Sequence, residues 1–92
     1  MVEVTDELVE NISLEMNRVL GHFHADMSYW EGKKDTSMVD MITSDFEYNA
    51  TSLGRFLEDR DIKALRDRIY DQDTAPREEF WRVLDLIEGD QR

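Results

Sequence analysis

Residues 5–32 read TDELVENISLEMNRVLGHFHADMSYWEG, and the spacing of the apolar letters in that stretch decides the fold. Leu8, Ile12, Met16, Val19, Phe23, Met27 and Trp30 recur at steps of three and four. Side chains spaced that way stack on one side of an α-helix, so the stretch predicts one long helix with a single apolar face. Thr5 stands where an N-cap is expected. Asp6 and Glu7 follow in the first turn, where carboxylates meet the positive end of the helix dipole. Gly21 costs about 1 kcal/mol relative to Ala inside a helix, which leaves room for a kink. Gly32-Lys33-Lys34-Asp35 reads as a turn.

Beyond that turn the same period continues. A second helix is expected from near Ser37, with Met38, Ile42, Phe46, Ala50, Leu53 and Leu57 on its inner face. Tyr48 to Gly54 is rich in poor helix formers, so a break near Asn49 or Thr51 is the alternative. A short third helix is expected from Asp61, with Ile62, Leu65 and Ile69 inward. Asp71-Gln72-Asp73-Thr74 reads as a loop, and Thr74 as the cap of a last helix with Pro76 in its first turn. Phe80, Val83, Leu84 and Ile87 would line that helix, and Gly89 would end it. No segment alternates with period two. The expectation is an all-α fold: one small domain over residues 1–92, built of three to four helices. So short a chain has a limited core, which makes a homodimer the expected assembly.

The chain has 92 residues, 22 Asp and Glu against 11 Lys and Arg, and no cysteine. Without cysteine there is no disulfide framework, thiolate metal site or thiol nucleophile. No apolar run is long enough for a bilayer span, and the acidic opening MVEVTDEL does not read as a signal peptide. A cytoplasmic protein is expected. The formal charge of −11 sets the class of partner. Phosphate backbones repel such a surface, and anionic membranes do so by the same sign argument, so neither nucleic acid nor membrane is an expected partner. A cationic partner is. Forty per cent apolar residues argue against the disorder that acidic composition can bring.

The charge is uneven. Residues 1–54 hold 11 acids and only three bases, Arg18, Lys33 and Lys34, whereas residues 55–92 hold 11 acids and eight bases. In the second half, acids and bases interleave at helical spacing, with Asp59–Lys63 and Glu78–Arg82 as expected pairs. In the first half the carboxylates lack such partners and repel one another, which marks them as a candidate functional surface. On a helical wheel Glu3, Asp6, Glu7 and Glu10 fall opposite the apolar face, while Glu15 and Asp26 flank it. Asp40 and Glu47 point outward from the second helix, and Asp45 lies on its flank. With Glu31 and Asp35 these make eleven candidate partner-binding acids. Acids three or four residues apart are separated by roughly 5–6 Å along a helix. A duplex strand carries one phosphate per ~3.4 Å, a density that carboxylates on two helices approach without copying its geometry. The plainer reading is a solvated face that keeps the protein dispersed. Leu14 sits among the acids, Met41 and Tyr48 form a stripe beside the second helix core, and Trp81 adjoins Phe80. These four are candidate dimer or partner contacts.

Chemistry-bearing constellations are missing. His22 and His24 are two apart and fall on different helix faces, so they do not form a metal pair. The isolated glycines make no phosphate loop, no nucleophile motif occurs, and the carboxylates lack calcium-loop spacing. No pocket is implied that would raise the pKa of a general acid. A non-enzyme without cofactor or metal is expected.

The opening MVEVTDELVENISLEMNRVLGHFHADMSYWEGKKD, together with the length, the charge and the absence of Cys, resembles the Arn family of anti-restriction nuclease proteins of T-even bacteriophages. That resemblance extends over the whole chain. It implies a DNA mimic, made in an infected cell, that inhibits the McrBC restriction nuclease and is similar to proteins that titrate the nucleoid protein H-NS. The family brings no catalytic residues, so its feature maps only onto the exposed acids named above. Two rivals stand beside it. One is a regulator that binds a basic protein surface without imitating DNA and needs an apolar anchor such as Leu14 or Tyr48. The other is an acyl-carrier-like protein, whose prosthetic serine would be Ser37 in Asp35-Thr36-Ser37-Met38. The intervening Thr36 breaks that motif, and an N-cap role for Asp35, Thr36 or Ser37 explains the same residues.

Overall fold

The computed structural model describes residues 3–71 and 78–89. It is all-helical, a small single domain of four helices: α1 (Asp6–Gly32), α2 (Thr36–Asp59), α3 (Ile62–Tyr70) and α4 (Trp81–Glu88). The helices α1 and α2 form a hairpin about the turn at residues 33–35. Leu14 and Leu57 line one groove at its far end, and nearer the turn the Thr43 hydroxyl lies 3.1 Å from the Met27 sulfur. The third helix packs on α2, and α4 packs across α1 and α3.

Each helix start has a local cause. The Thr5 hydroxyl accepts from the Leu8 amide at 3.1 Å, and the Asp35 carboxylate from the Met38 amide at 3.1 Å. The Asp61 carboxylate accepts from the Ala64 amide at 3.0 Å. Each satisfies an amide that the helix itself leaves without a partner. Asp35 is thus the cap among the three candidates at that turn. The second helix ends at Arg60 and α4 at Gly89, both in the left-handed region, with φ of 56° and 73°. Lys34, in the hairpin turn, also has positive φ, at 58°.

The core joins all four helices. Ile12, Met16, Val19 and Phe23 of α1 meet Ile42, Leu53 and Phe56 of α2, Ile62, Leu65 and Ile69 of α3, and Phe80, Val83 and Ile87 around α4. The Phe80 ring is fully buried and stands edge-on to Phe23, with centroids 6.2 Å apart. Burying each such side chain contributes roughly 1.5–3 kcal/mol.

Several expectations need correction. The first helix runs unbroken through Gly21, where an added Cβ would meet nothing within 4 Å. The second is continuous through Asn49 and Thr51. Asn49 is buried and donates to the Asp45 carbonyl at 2.8 Å, and Ser52 donates to the Tyr48 carbonyl at 2.9 Å. These side chains satisfy themselves on their own helix, so poor intrinsic propensity yields to burial. Leu57 is not on the inner face: it is exposed, and its neighbour Phe56 is buried instead. Phe80 interrupts the last helix, with non-helical backbone between the helical residues 78–79 and Trp81. The expected cap Thr74 and first-turn Pro76 lie outside the described residues. Lys63 pairs with Asp67 at 3.2 Å rather than with Asp59, and Arg82 stacks 5.1 Å from the Trp81 ring centroid rather than pairing with Glu78.

Candidate functional site

Eight of the eleven candidate acids are exposed: Glu3, Asp6, Glu7, Glu10, Asp26, Glu31, Asp40 and Glu47. The other three, Glu15, Asp35 and Asp45, are half-buried, and each is engaged locally. Glu15 accepts from the Arg18 guanidinium at 3.0 Å. Asp35 caps α2. Asp45 is held against the protein, and loss of solvent pushes its carboxyl above the ordinary value of 3.8. Its backbone carbonyl also receives Asn49.

The nearby bases do not neutralise the exposed eight. Beyond Glu15, Arg18 donates to the Glu79 carbonyl at 3.2 Å and so ties α1 to the chain entering α4. Lys33 lies 5.6 Å from the Tyr29 ring centroid, a cation–π distance. Among the described residues the ion pairs are Arg18–Glu15, Lys63–Asp67 and Arg66–Asp67, none of which includes an exposed candidate acid. Asp6 and Glu7 are favoured where they stand by the α1 dipole. The remaining exposed acids make no ion pair among the described residues.

The four apolar candidates do not make one patch. Leu14 is 62 % exposed and lines an open groove of about 510 Å³ with Asp6, Val9, Glu10, Ser13, Leu57 and Arg60. Met41 is exposed near the other end of the hairpin, about 24 Å along α2 from Leu57 at 1.5 Å per residue. Tyr48 lies beneath Arg68, whose guanidinium carbon is 5.4 Å from the ring centroid. Trp81 is exposed beside buried Phe80, which resolves which of the two adjacent rings enters the core. Arg60, which also lines the groove, carries no signal in the sequence that marks it. Leu57 follows the apolar spacing of the core face, which points it inward, yet it is exposed.

A second cavity, of about 150 Å³, lies between the end of α2 and α3. Arg55, Arg68, Asp59 and Asp61 line it, so its charges balance. His24 packs edge-on against Phe46 at 6.4 Å, a packing role. Among the described residues no group of three His, Cys, Asp or Glu is arranged to hold a metal ion, and no helix is long and apolar enough to cross a membrane.

No family model, curated protein or solved structure matches the chain.

Proposed function

We propose that this chain is a DNA-mimicking inhibitor that occupies the DNA-binding surfaces of host defence proteins, with the McrBC restriction nuclease as one target and the nucleoid protein H-NS as another. The observation that carries the reading is the set of eight exposed carboxylates, unpaired with any base among the described residues, on and beside a long two-helix hairpin. The resemblance of residues 1–35 and of the overall charge to the Arn family supports the choice of targets. The reading assigns the protein no catalysis and no cofactor, and it places its action in the cytoplasm of the infected cell.

The mechanism follows from charge and shape. The molecule is 45 Å long, more than one duplex turn of about 34 Å. Eight carboxylates over that length give one per about 6 Å, against one phosphate per about 3.4 Å along each DNA strand. A single chain therefore offers about six-tenths of the charge of one strand, with seven of the eight acids on α1 and α2 and Glu3 just ahead of α1. It presents no base edges, so it competes best with proteins that read backbone and shape. Pairing of two copies through Met41 or Trp81, the two of the four apolar candidates that lie outside the groove and not beneath Arg68, would lengthen the charged surface.

Competition tests this. Labelled duplex is bound separately to H-NS and to the DNA-recognition part of a McrBC nuclease, and the chain is titrated in at moderate salt beside an unrelated protein of similar acidity. Displacement by this chain alone, weakening as salt rises, is the expected result. Displacement no better than the control would remove the mimic reading.

A further inference from the structure

The groove at the open end of the hairpin is where two exposed acids from the start of α1 and two exposed leucines coincide. Leu14 of α1 and Leu57 of α2 are 62 % and 41 % exposed, and both line it, with buried Val9 beneath. Asp6 and Glu10 form the α1 rim, and neither pairs with a base among the described residues. Arg60 stands on the α2 rim.

We infer that this groove receives a cationic amphipathic segment of a partner protein, with an aliphatic side chain seated between Leu14 and Leu57 and lysines or arginines facing Asp6 and Glu10. The inference rests on the proposed reading of the acids as a surface for a cationic partner. It adds a contact that duplex DNA does not offer, a leucine-lined floor. Charge selects the occupant. A second copy of this chain would bring another −11 against the same groove, whose lining holds one base, Arg60, among the described residues. Nucleic acid is repelled outright. The groove is too open to enclose most of a small molecule's surface, as small-molecule sites do, whereas a segment of chain can lie along it. The two kinds of contact divide the work: carboxylates draw the partner in, and the leucines hold a part of the affinity that salt does not screen.

The test uses the full chain and two fluorescein-labelled synthetic peptides of equal length and charge. One is an amphipathic lysine–leucine helix, and the other carries Ala in place of every Leu. The leucine peptide is expected to bind about tenfold more tightly, as burial of one aliphatic side chain would give, and to keep that advantage at about 1 M salt, where the Debye length is about 3 Å. Leu14→Ser and Leu57→Ser should each lower its affinity by about tenfold without changing that of the alanine peptide. Its binding should shift the amide signals of Ser13, Leu14, Leu57 and Arg60. Both leucines are exposed, so circular dichroism should show both variants folded. Equal affinity for the two peptides, or no effect of Leu14→Ser, would overturn the groove while leaving the cationic-partner reading standing. Binding of neither peptide at low salt would overturn both. A chain that sediments as a dimer and becomes monomeric on Leu14→Ser would put a second copy in the groove and overturn the inference.

Discussion

Residues 1–54 and residues 55–92 hold eleven acids each, but three bases face the first set and eight the second. The fates of the carboxylates differ only in part, because Glu58, Asp59, Asp71, Glu78 and Glu79 of the second region are also exposed and make no ion pair among the described residues. In the second region Lys63 and Arg66 both reach Asp67, Asp61 caps α3, and the Tyr70 hydroxyl lies 2.7 Å from Glu88. The Lys63 hydrogen bond, followed by that from Arg66, holds the Asp67 carboxyl below its ordinary value. In the first region eight acids stand in solvent, and Arg18 and Lys33 are turned to other work. The number of acids therefore says little about what they do. What separates them is the local partner: bases engage Glu15 and Asp67, backbone amides Asp35 and Asp61, and a hydroxyl Glu88.

The sharpest way to break this comparison is to detach the second region from the first. Phe80→Ala empties the place against Phe23 and should cost about 3–5 kcal/mol in urea unfolding. A loss under about 1 kcal/mol, the size of a surface change, would mean that the C-terminal helix is not anchored through that ring. Next in size is a contrast of charge sets. Converting Glu3, Asp6, Glu7 and Glu10 together to their amides should weaken DNA displacement by about 2 kcal/mol, some thirtyfold, at about 0.5 kcal/mol for each exposed contact. Converting Asp59, Glu78 and Asp85 in the same way should weaken it far less, and equal losses would erase the distinction between the two regions.

Asp35 sharpens the comparison from inside the first region. If its carboxylate serves α2 rather than a partner, Asp35→Ala should lower stability by about 1 kcal/mol and leave displacement unchanged. Thermal melts and the competition assay read the two effects separately. The smallest effect is expected at Asp45, whose carboxyl is raised in the folded state by burial. A raised acid destabilises the fold once it ionises, and the penalty fades as pH falls through the folded value toward the ordinary 3.8. Asp45→Asn should therefore melt higher than the parent at neutral pH and converge with it in acid. Asp67 has the opposite sign: its contribution is present above the ordinary value and is lost as pH falls through the lowered one.

The first helix was legible because Ile12, Met16, Val19 and Phe23 alternate steps of four and three, which keeps the face centred. The second was misread at its end for a geometric reason. Four residues turn a helix by about 400°, so each repeated step of four rotates the chosen stripe by about 40°. Met38, Ile42, Phe46 and Ala50 are three such steps, and they carry the stripe away from the true face toward Leu57. That face centres on Ile42, Asn49 and Phe56, and Asn49 hides it by being polar. The acids were legible as a group but not by fate. Sequence placed Glu15, Asp35 and Asp45 beside the other eight, and only packing separates them. The groove was illegible because it needs Leu14 and Leu57, 43 positions apart, to be brought together by the hairpin.

Lys34 and Arg60 turn the chain through left-handed backbone without being glycine, whereas the end of α4 uses Gly89 for the same geometry. A side chain in that conformation costs about 1 kcal/mol. Drift toward heat resistance thus has two open doors at the corners of the hairpin, and both lead away from neutrality. Exchange of either residue for glycine relaxes the backbone and removes one of the few bases near the acidic face. Thermal hardening of this chain and tempering of its charge pull in opposite directions at the same two residues.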